Sequence, residues 1–306
     1  MTETIRSAGL PHSPGRRRLL QGAAGMVALG VASPGAAQQA SPAPTTAPAL
    51  KGNINHSVAR WTFGDLSLPD LCRLGQQIGL QAIDLCGPDD WAVLKEHGLD
   101  SSMCNGAEIS LEDGWANPAH HDALEQRYLD HIRLVADAGY RNLICFSGNR
   151  GSLSDEEGLA NCALGLQRIL PAAQQAGVTL VMELLNSKVD HPDYMCDRSP
   201  WGIALCQRLD APNFGLLYDI YHMQIMEGDV IRTINDHNRW FVHYHTAGNP
   251  GRHEIDESQE LNYPAICRAI RDSGFSGYLA QEFMPSSTDP GQAAEALRQA
   301  VLICDV

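Results

Sequence analysis

Four short apolar segments in the second half of the chain each carry ionisable side chains. Glu183 follows Thr-Leu-Val-Met, Asp219 follows Gly-Leu-Leu-Tyr, and Glu282 follows Gly-Tyr-Leu-Ala-Gln. The fourth segment, Trp-Phe-Val-His-Tyr-His-Thr, supplies His243 and His245. None of the four contains Lys or Arg, and an isolated buried carboxylate is unfavourable unless it is paired or bound to a metal. These segments therefore predict a divalent-metal site, with a hydrogen-bonded polar plug as the alternative.

The donor types indicate which ion the site would take. Three carboxylates and one imidazole favour Mn²⁺ or Mg²⁺, while Zn²⁺ or Co²⁺ would also fit such a set. His243 and His245 lie two residues apart, so they face the same side of a strand. Because only one of them can occupy the upper layer, we assign His245 to the metal and His243 to a deeper, hydrogen-bonded position.

The segments that must position these residues follow a regular alternation. Short β-branched or apolar runs alternate with longer helical patterns from residue 51 onwards, which is typical of a parallel sheet. The predicted strands are 53–61, 82–86, 102–105, 142–147, 179–186, 214–221, 240–246 and 277–283, and the predicted helices include 68–79, 121–138, 156–176, 201–209 and 263–273. Eight such units predict a (β/α)₈ TIM barrel, whose chemistry lies at the carboxyl ends of its strands. A doubly wound open sheet is less favoured, because no Gly-rich phosphate turn follows the first strand.

The beginning of the chain has a different composition. Arg16-Arg17-Arg18 precede a weakly apolar stretch at 19–31 and then a group of small residues at 35–37. This order is typical of an export signal, and the Arg pair resembles a twin-arginine signal. A basic tail or an organellar presequence is the alternative. We therefore predict a signal peptide at 1–37, a Pro/Ala-rich linker at 38–50 and a catalytic barrel at 51–306, exported to the periplasm by the twin-arginine machinery.

Composition excludes several function classes. The 22 Lys and Arg stand against 36 Asp and Glu, a formal charge of −14. Nucleic-acid binding requires a basic face, and anionic membranes repel such a chain. No run of apolar residues is long enough for a stable membrane span. The nine cysteines form no C-x-x-C pair, so we expect buried thiols rather than a zinc ribbon.

Three strings give the chain a recognisable resemblance. MELLN at 182–186, YDIYHMQ at 218–224 and PGRHE at 250–254 resemble the hydroxypyruvate isomerase family of the xylose-isomerase-like TIM-barrel superfamily. The similarity extends over residues 51–284. It includes a metal set of Glu183, Asp219, His245 and Glu282. One difference is His245, since hydroxypyruvate isomerases usually have Gln there and the related ketose 3-epimerases have His.

The resemblance implies a reaction and roles for individual residues. A metal would polarise the carbonyl of a small hydroxy-carbonyl or sugar-like substrate and stabilise an enediolate, while Glu183 and Glu282 act as acid and base. His222 would hydrogen-bond a substrate oxygen, and Arg252 would clamp a carboxylate or vicinal hydroxyls. The loop after the fifth strand supplies further substrate contacts, which are Asn186, Lys188 and His191. The expected activity is a hydroxypyruvate isomerase-like aldose–ketose isomerisation.

Other activities are compatible with the same residues. A keto-sugar epimerase or lyase would use the same proton abstraction, and the sequence does not separate these from an isomerase. A periplasmic sugar-binding module would not require two opposed carboxylates on a metal. The superfamily's abasic-DNA endonucleases need a basic groove, which the acidic composition opposes.

Overall fold

The computed structural model describes residues 49–306. The predicted signal peptide at 1–37, and the predicted linker up to residue 48, lie outside the described residues. Within residues 49–306, no helix combines the length and apolar character needed to cross a membrane.

Eight parallel strands and ten helices alternate along the described chain. The strands are β1 Asn55–Ala59, β2 Ala82–Asp84, β3 Asp100–Ser101, β4 Asn142–Cys145, β5 Thr179–Glu183, β6 Phe214–Asp219, β7 Phe241–Thr246 and β8 Tyr278–Gln281. The helices are α1 Leu68–Ile78, α2 Trp91–Glu96, α3 His121–Ala138, α4 Asp155–Leu166, α5 Leu170–Ala176, α6 Ser199–Leu209, α7 Ile220–Met226, α8 Val230–His237, α9 Tyr263–Asp272 and α10 Pro290–Cys304. Short 3₁₀ turns at Trp61–Phe63, Pro118–His120 and Asn238–Trp240 join some of them.

The strands form one sheet in the order β3-β2-β1-β8-β7-β6-β5-β4. Its two outer strands, β3 and β4, are joined through Cys104. The Cys104 N–H donates to the Asn142 carbonyl at 2.8 Å, and the Cys104 carbonyl accepts from the Ile144 N–H at 3.0 Å. This parallel bridge closes the sheet, and the predicted (β/α)₈ TIM barrel is confirmed.

Local sequence signals explain where the helices begin and end. Ser67 accepts a hydrogen bond from the Asp70 N–H and starts α1, which ends at Gly79 with φ +97°. Ser154 and Glu157 form a reciprocal capping box at the start of α4. These caps fix the ends of the helices that connect the strands.

Two predicted elements differ from the structure. The single helix predicted at 156–176 is the pair α4 and α5, because Pro171 lacks an N–H and is tolerated only in a first helical turn. The third strand is shorter and earlier than the predicted 102–105, ending at Ser101, although Cys104 retains the bridge described above. All nine cysteines are buried and unpaired, as expected from the sequence.

Candidate active site

The carboxyl ends of β5 to β8 bring four buried side chains together. Glu183 is the last residue of β5, and Asp219 is the last residue of β6, paired in register with His245 on β7. Glu282 follows the end of β8 directly. One ligand atom from each of the four lies within 4.8 Å of the others. The barrel therefore brings the predicted donor set together.

The imidazole of His245 is the centre of this cluster. Its Nδ1 lies 3.1 Å from Glu282 Oε2, 3.4 Å from Glu183 Oε1 and 3.9 Å from Asp219 Oδ2. Its Nε2 is hydrogen-bonded to Asp84 Oδ2 at 2.8 Å. Nδ1 makes no hydrogen bond with any residue in 49–306, although it is buried. A buried imidazole nitrogen facing three carboxylates fits a divalent cation, so these residues could hold a metal.

Burial and crowding perturb the acidity of the cluster. Burial, followed by the charge of Glu282, raises the pKa of Asp219 to about 8. Burial also raises the pKa of Glu183. Burial acts in the same direction on Glu282, but His245 and Arg252 outweigh it and hold that pKa well below its usual value. Neighbouring carboxyls with opposed shifts are typical of acid–base sites.

Two residues outside the strands hold Glu282 in place. Trp61 Nε1 donates to Glu282 Oε1 at 2.8 Å, and Arg252 Nη2 donates to Oε2 at 2.6 Å. The guanidinium carbon of Arg252 lies 5.1 Å from the Trp61 ring centre and 5.4 Å from that of Tyr221. The four strands contain no Lys or Arg, and the cation beside Glu282 comes from the loop after β7. Trp61 was not predicted, because nothing in its local sequence distinguishes it from a core aromatic.

His222 and Asn186 lie beside Asp219. Asn186 Nδ2 is 2.5 Å from His222 Nδ1, and the backbone N–H of His222 donates to Asp219 Oδ1 at 3.0 Å. Burial lowers the pKa of His222 well below its usual value, so the ring is neutral. Since Asn186 donates to Nδ1, the proton resides on Nε2, which has no hydrogen-bond partner among the described residues. The ring Nε2–H of His222 is therefore available to a ligand.

The other two residues predicted to contact the substrate, His191 and Lys188, lie in different places relative to the cluster. His191 packs with its ring centre 5.2 Å from that of His222. Lys188 Nζ instead donates to the carbonyls of Ile225 at 2.8 Å and Met226 at 2.9 Å. Its ammonium is therefore held at the C-terminal end of α7, a favourable place for a cation, and the structure does not bring it to the carboxylate cluster around His245.

A cavity of about 280 Å³ opens onto the cluster. Its polar wall consists of Glu183, His191, Arg252 and Glu282, and its other lining residues are Trp61, Leu85, Leu111, Phe146 and Leu185. A mostly apolar pocket with a few convergent polar groups is typical of a small-molecule site. Its volume suits a compact ligand of a few carbons.

A second cluster lies deeper in the barrel. Asp84, at the end of β2, is fully buried, and His243 Nε2 lies 3.0 Å from its Oδ1. His243 thus lies below His245, at the deeper level that the sequence predicts for it. Asp84 itself was missed, although a carboxylate within the apolar run Ala-Ile-Asp-Leu-Cys could have indicated it.

A parallel eight-stranded barrel with ionisable residues at its carboxyl ends is the architecture of a TIM-barrel enzyme. A family model described as xylose isomerase-like TIM barrel matches residues 91–301. The chain belongs to this family.

Named relatives give the reaction class. 2-Oxo-tetronate isomerase of Pectobacterium atrosepticum is 32% identical over 73% of this chain and 88% of that protein. The same enzyme of Cupriavidus necator is 37% identical, but the match spans only 37% of this chain and 43% of that protein. Hydroxypyruvate isomerase of Escherichia coli is 24% identical over 74% of this chain and 91% of that protein. Together with the family, these relatives identify the chain as an isomerase.

Among solved structures, the IOLI protein with a zinc atom is similar in fold. Its TM-score is 0.64 at 16% identity, covering 82% of this chain and 96% of that one. At this identity the likeness concerns the fold alone.

Proposed function

We propose that this isomerase is metal-dependent and interconverts an aldose-type and a ketose-type form of a small hydroxy-carbonyl or sugar-like substrate. The observation that carries the proposal is the placement of Glu183 and Glu282 on different strands around the unpaired Nδ1 of His245. Isomerases of hydroxypyruvate and of 2-oxo-tetronate among the relatives support this substrate class. The zinc atom of the IOLI protein supports metal binding in this fold.

A divalent ion held by Glu183, Asp219, His245 and Glu282 would polarise the substrate carbonyl. The protein side chains then move the proton. Glu183, whose pKa is raised by burial, is suited to hold a proton and deliver it to a substrate carbon. Glu282 is kept ionised by Arg252, so it can accept a proton from the carbon on its side. One carboxylate removes the proton from one carbon and the other delivers a proton to the neighbouring carbon, while a proton passes between the two substrate oxygens, so that the carbonyl moves by one position.

Two neutral or cationic donors would orient the substrate. His222 presents a free Nε2–H beside Asp219, and the Arg252 Nε is buried without a hydrogen-bond partner in the described chain. A substrate carboxylate or hydroxyl that accepts from these groups would satisfy both. The apolar wall of the cavity would exclude bulk water from the reacting carbons.

The decisive experiment is solvent-deuterium incorporation, followed by NMR. Metal-loaded wild type is incubated in D₂O with hydroxypyruvate, 2-oxo-tetronate and a panel of ketoses and keto-sugars. Glu183→Gln and Glu282→Gln should each lower the exchange rate about 10²–10⁴-fold. Glu295→Gln, on the exposed outer face of α10, is the matched control and should exchange like wild type. Wild-type exchange in either active-site variant would refute the two-carboxylate mechanism.

The products distinguish the alternatives. Inversion at a carbon without migration of the carbonyl would favour a keto-sugar epimerase, a possibility that His245 supports. Release of a leaving group would favour a lyase. Ligand binding without any exchange would favour a periplasmic sugar-binding module.

We further propose that residues 1–37 direct export through the twin-arginine pathway, so that the enzyme acts in the periplasm. The order of the Arg run, the apolar stretch and the small residues supports this. The acidic composition supports a small-molecule substrate rather than nucleic acid.

A further inference from the structure

The carboxylate of Asp84 has three polar neighbours, all within the barrel. Its Oδ2 accepts from His245 Nε2 at 2.8 Å, and its Oδ1 accepts from the Ser102 hydroxyl at 2.5 Å. His243 Nε2 lies 3.0 Å from Oδ1. Ser102, His243 and His245 are all buried, so the carboxylate is held on both of its oxygens away from solvent.

These contacts decide which nitrogen of His245 carries a proton. An ionised carboxylate only accepts hydrogen bonds, so the nitrogen that faces Asp84 must be protonated. In the neutral ring that a metal ligand requires, the lone pair is then on Nδ1, which faces Glu183 and Glu282 at 3.4 and 3.1 Å. In the opposite tautomer an N–H would project into the carboxylate cluster, where it would exclude a cation.

We propose that Asp84 is a positioning residue, which selects the Nε2–H tautomer of His245 and aims its Nδ1 lone pair into the candidate metal site. This inference rests on the proposed metal-dependent function. Asp84 touches neither the cavity nor the other candidate ligands in this arrangement, and it acts through His245 alone.

The alternative, that Asp84 only supports the fold, explains its surroundings less well. Within residues 49–306, no Lys or Arg forms an ion pair with Asp84. A buried carboxylate commonly stabilises a fold no more than an apolar side chain of similar volume would, even when it is paired. The ring of His243 lies at 79° to that of His245, with centres 5.2 Å apart, and the Ser102 hydroxyl holds the second carboxylate oxygen of Asp84. The arrangement therefore restricts the direction of the Asp84–His245 hydrogen bond.

The first test uses the wild-type protein loaded with Zn²⁺. Two-dimensional ¹H–¹⁵N spectra of the histidine rings should show a protected, downfield Nε2–H signal, assigned to His245 by its loss in His245→Gln. A proton on Nδ1 with a bare Nε2 would overturn the proposal. This measurement needs no Asp84 variant, so it decides the question even if Asp84→Asn does not fold.

The second test measures Zn²⁺ affinity by competition with a chelator. Asp84→Asn should bind Zn²⁺ about 10- to 100-fold more weakly, since loss of a partner behind a histidine ligand typically has that effect. It should also lose the downfield ring signal. The matched control is Asp305→Asn, which alters another buried carboxylate that lies 4.0 Å from a histidine, His56, at the amino end of β1. This control should retain wild-type affinity.

The outcomes separate the inference from the function on which it rests. If wild type binds Zn²⁺ and Asp84→Asn binds it equally with the ring signal unchanged, the positioning role is overturned and the metal-dependent function stands. If wild type binds two ions per chain and lacks the Nε2–H signal, an ion at Asp84, His243 and His245 replaces the hydrogen bond, and the inference also fails. If wild type binds no Zn²⁺, Mn²⁺ or Mg²⁺, both proposals are overturned.

Discussion

The indole of Trp61 offers a sharp perturbation of the site, because it contacts Glu282 from outside the strands. Its Nε1 donates to Glu282 Oε1 at 2.8 Å, while Arg252 holds the other oxygen. Trp61→Phe removes this single donor and keeps an aromatic face beside Arg252. The variant therefore tests whether the orientation of Glu282 matters for proton transfer.

The size of the effect follows from the contact. A hydrogen bond to a charged group contributes about 1.5–3 kcal/mol. At about 1.4 kcal/mol per tenfold change, kcat/KM should fall about 10- to 100-fold if the bond persists in the transition state. Trp61 is 47% exposed, so the free energy of unfolding should change by only about 0.5 kcal/mol. Activity and stability should therefore separate.

The assay is deuterium incorporation into whichever substrate the wild type turns over, with urea unfolding of the same samples. Leu111→Ala is the control, because Leu111 lines the same cavity and is 38% exposed. It should change affinity for the substrate more than the exchange rate. Wild-type kcat/KM in Trp61→Phe would refute the reasoning that this hydrogen bond positions Glu282.

Three further predictions concern the metal, the pH dependence and the destination of the chain. Asp219→Asn and His245→Ala should each lose bound metal with a modest change in fold, and elemental analysis showing wild-type content in both would contradict the ligand assignment. Burial lowers the pKa of His56 from 6.5 to about 4, so the unfolded chain binds the proton more tightly. As pH falls from 6.5 to 4, wild type should therefore lose on the order of 3 kcal/mol more stability than His56→Gln, as measured by urea unfolding at each pH. Replacing Arg16 and Arg17 with Lys should retain the precursor in the cytoplasm, and undiminished export in cell fractionation would show that the leader is of another kind.

Local patterns predicted the scaffold because they depend on short-range physics. The alternation of strands and helices, and the Gly residues that end helices at positions such as Gly79, follow from backbone preferences within a few residues. The helix predicted at 156–176 is an exception, because a second helix begins at Leu170 with Pro171 in its first turn, where the missing N–H outweighs the helical periodicity around it.

The sequence by itself also determined which side chains share the mouth of the barrel. Side-chain alternation and the barrel rule place Glu183, Asp219, His245 and Glu282 at the same rim, whatever the details of packing. The partners of these residues were decided only by the tertiary structure. Trp61 lies 221 positions from Glu282, and Asp84 lies 161 positions from His245. Such contacts leave no periodic trace in the chain, because they arise where closure of the barrel brings its first strands against its last.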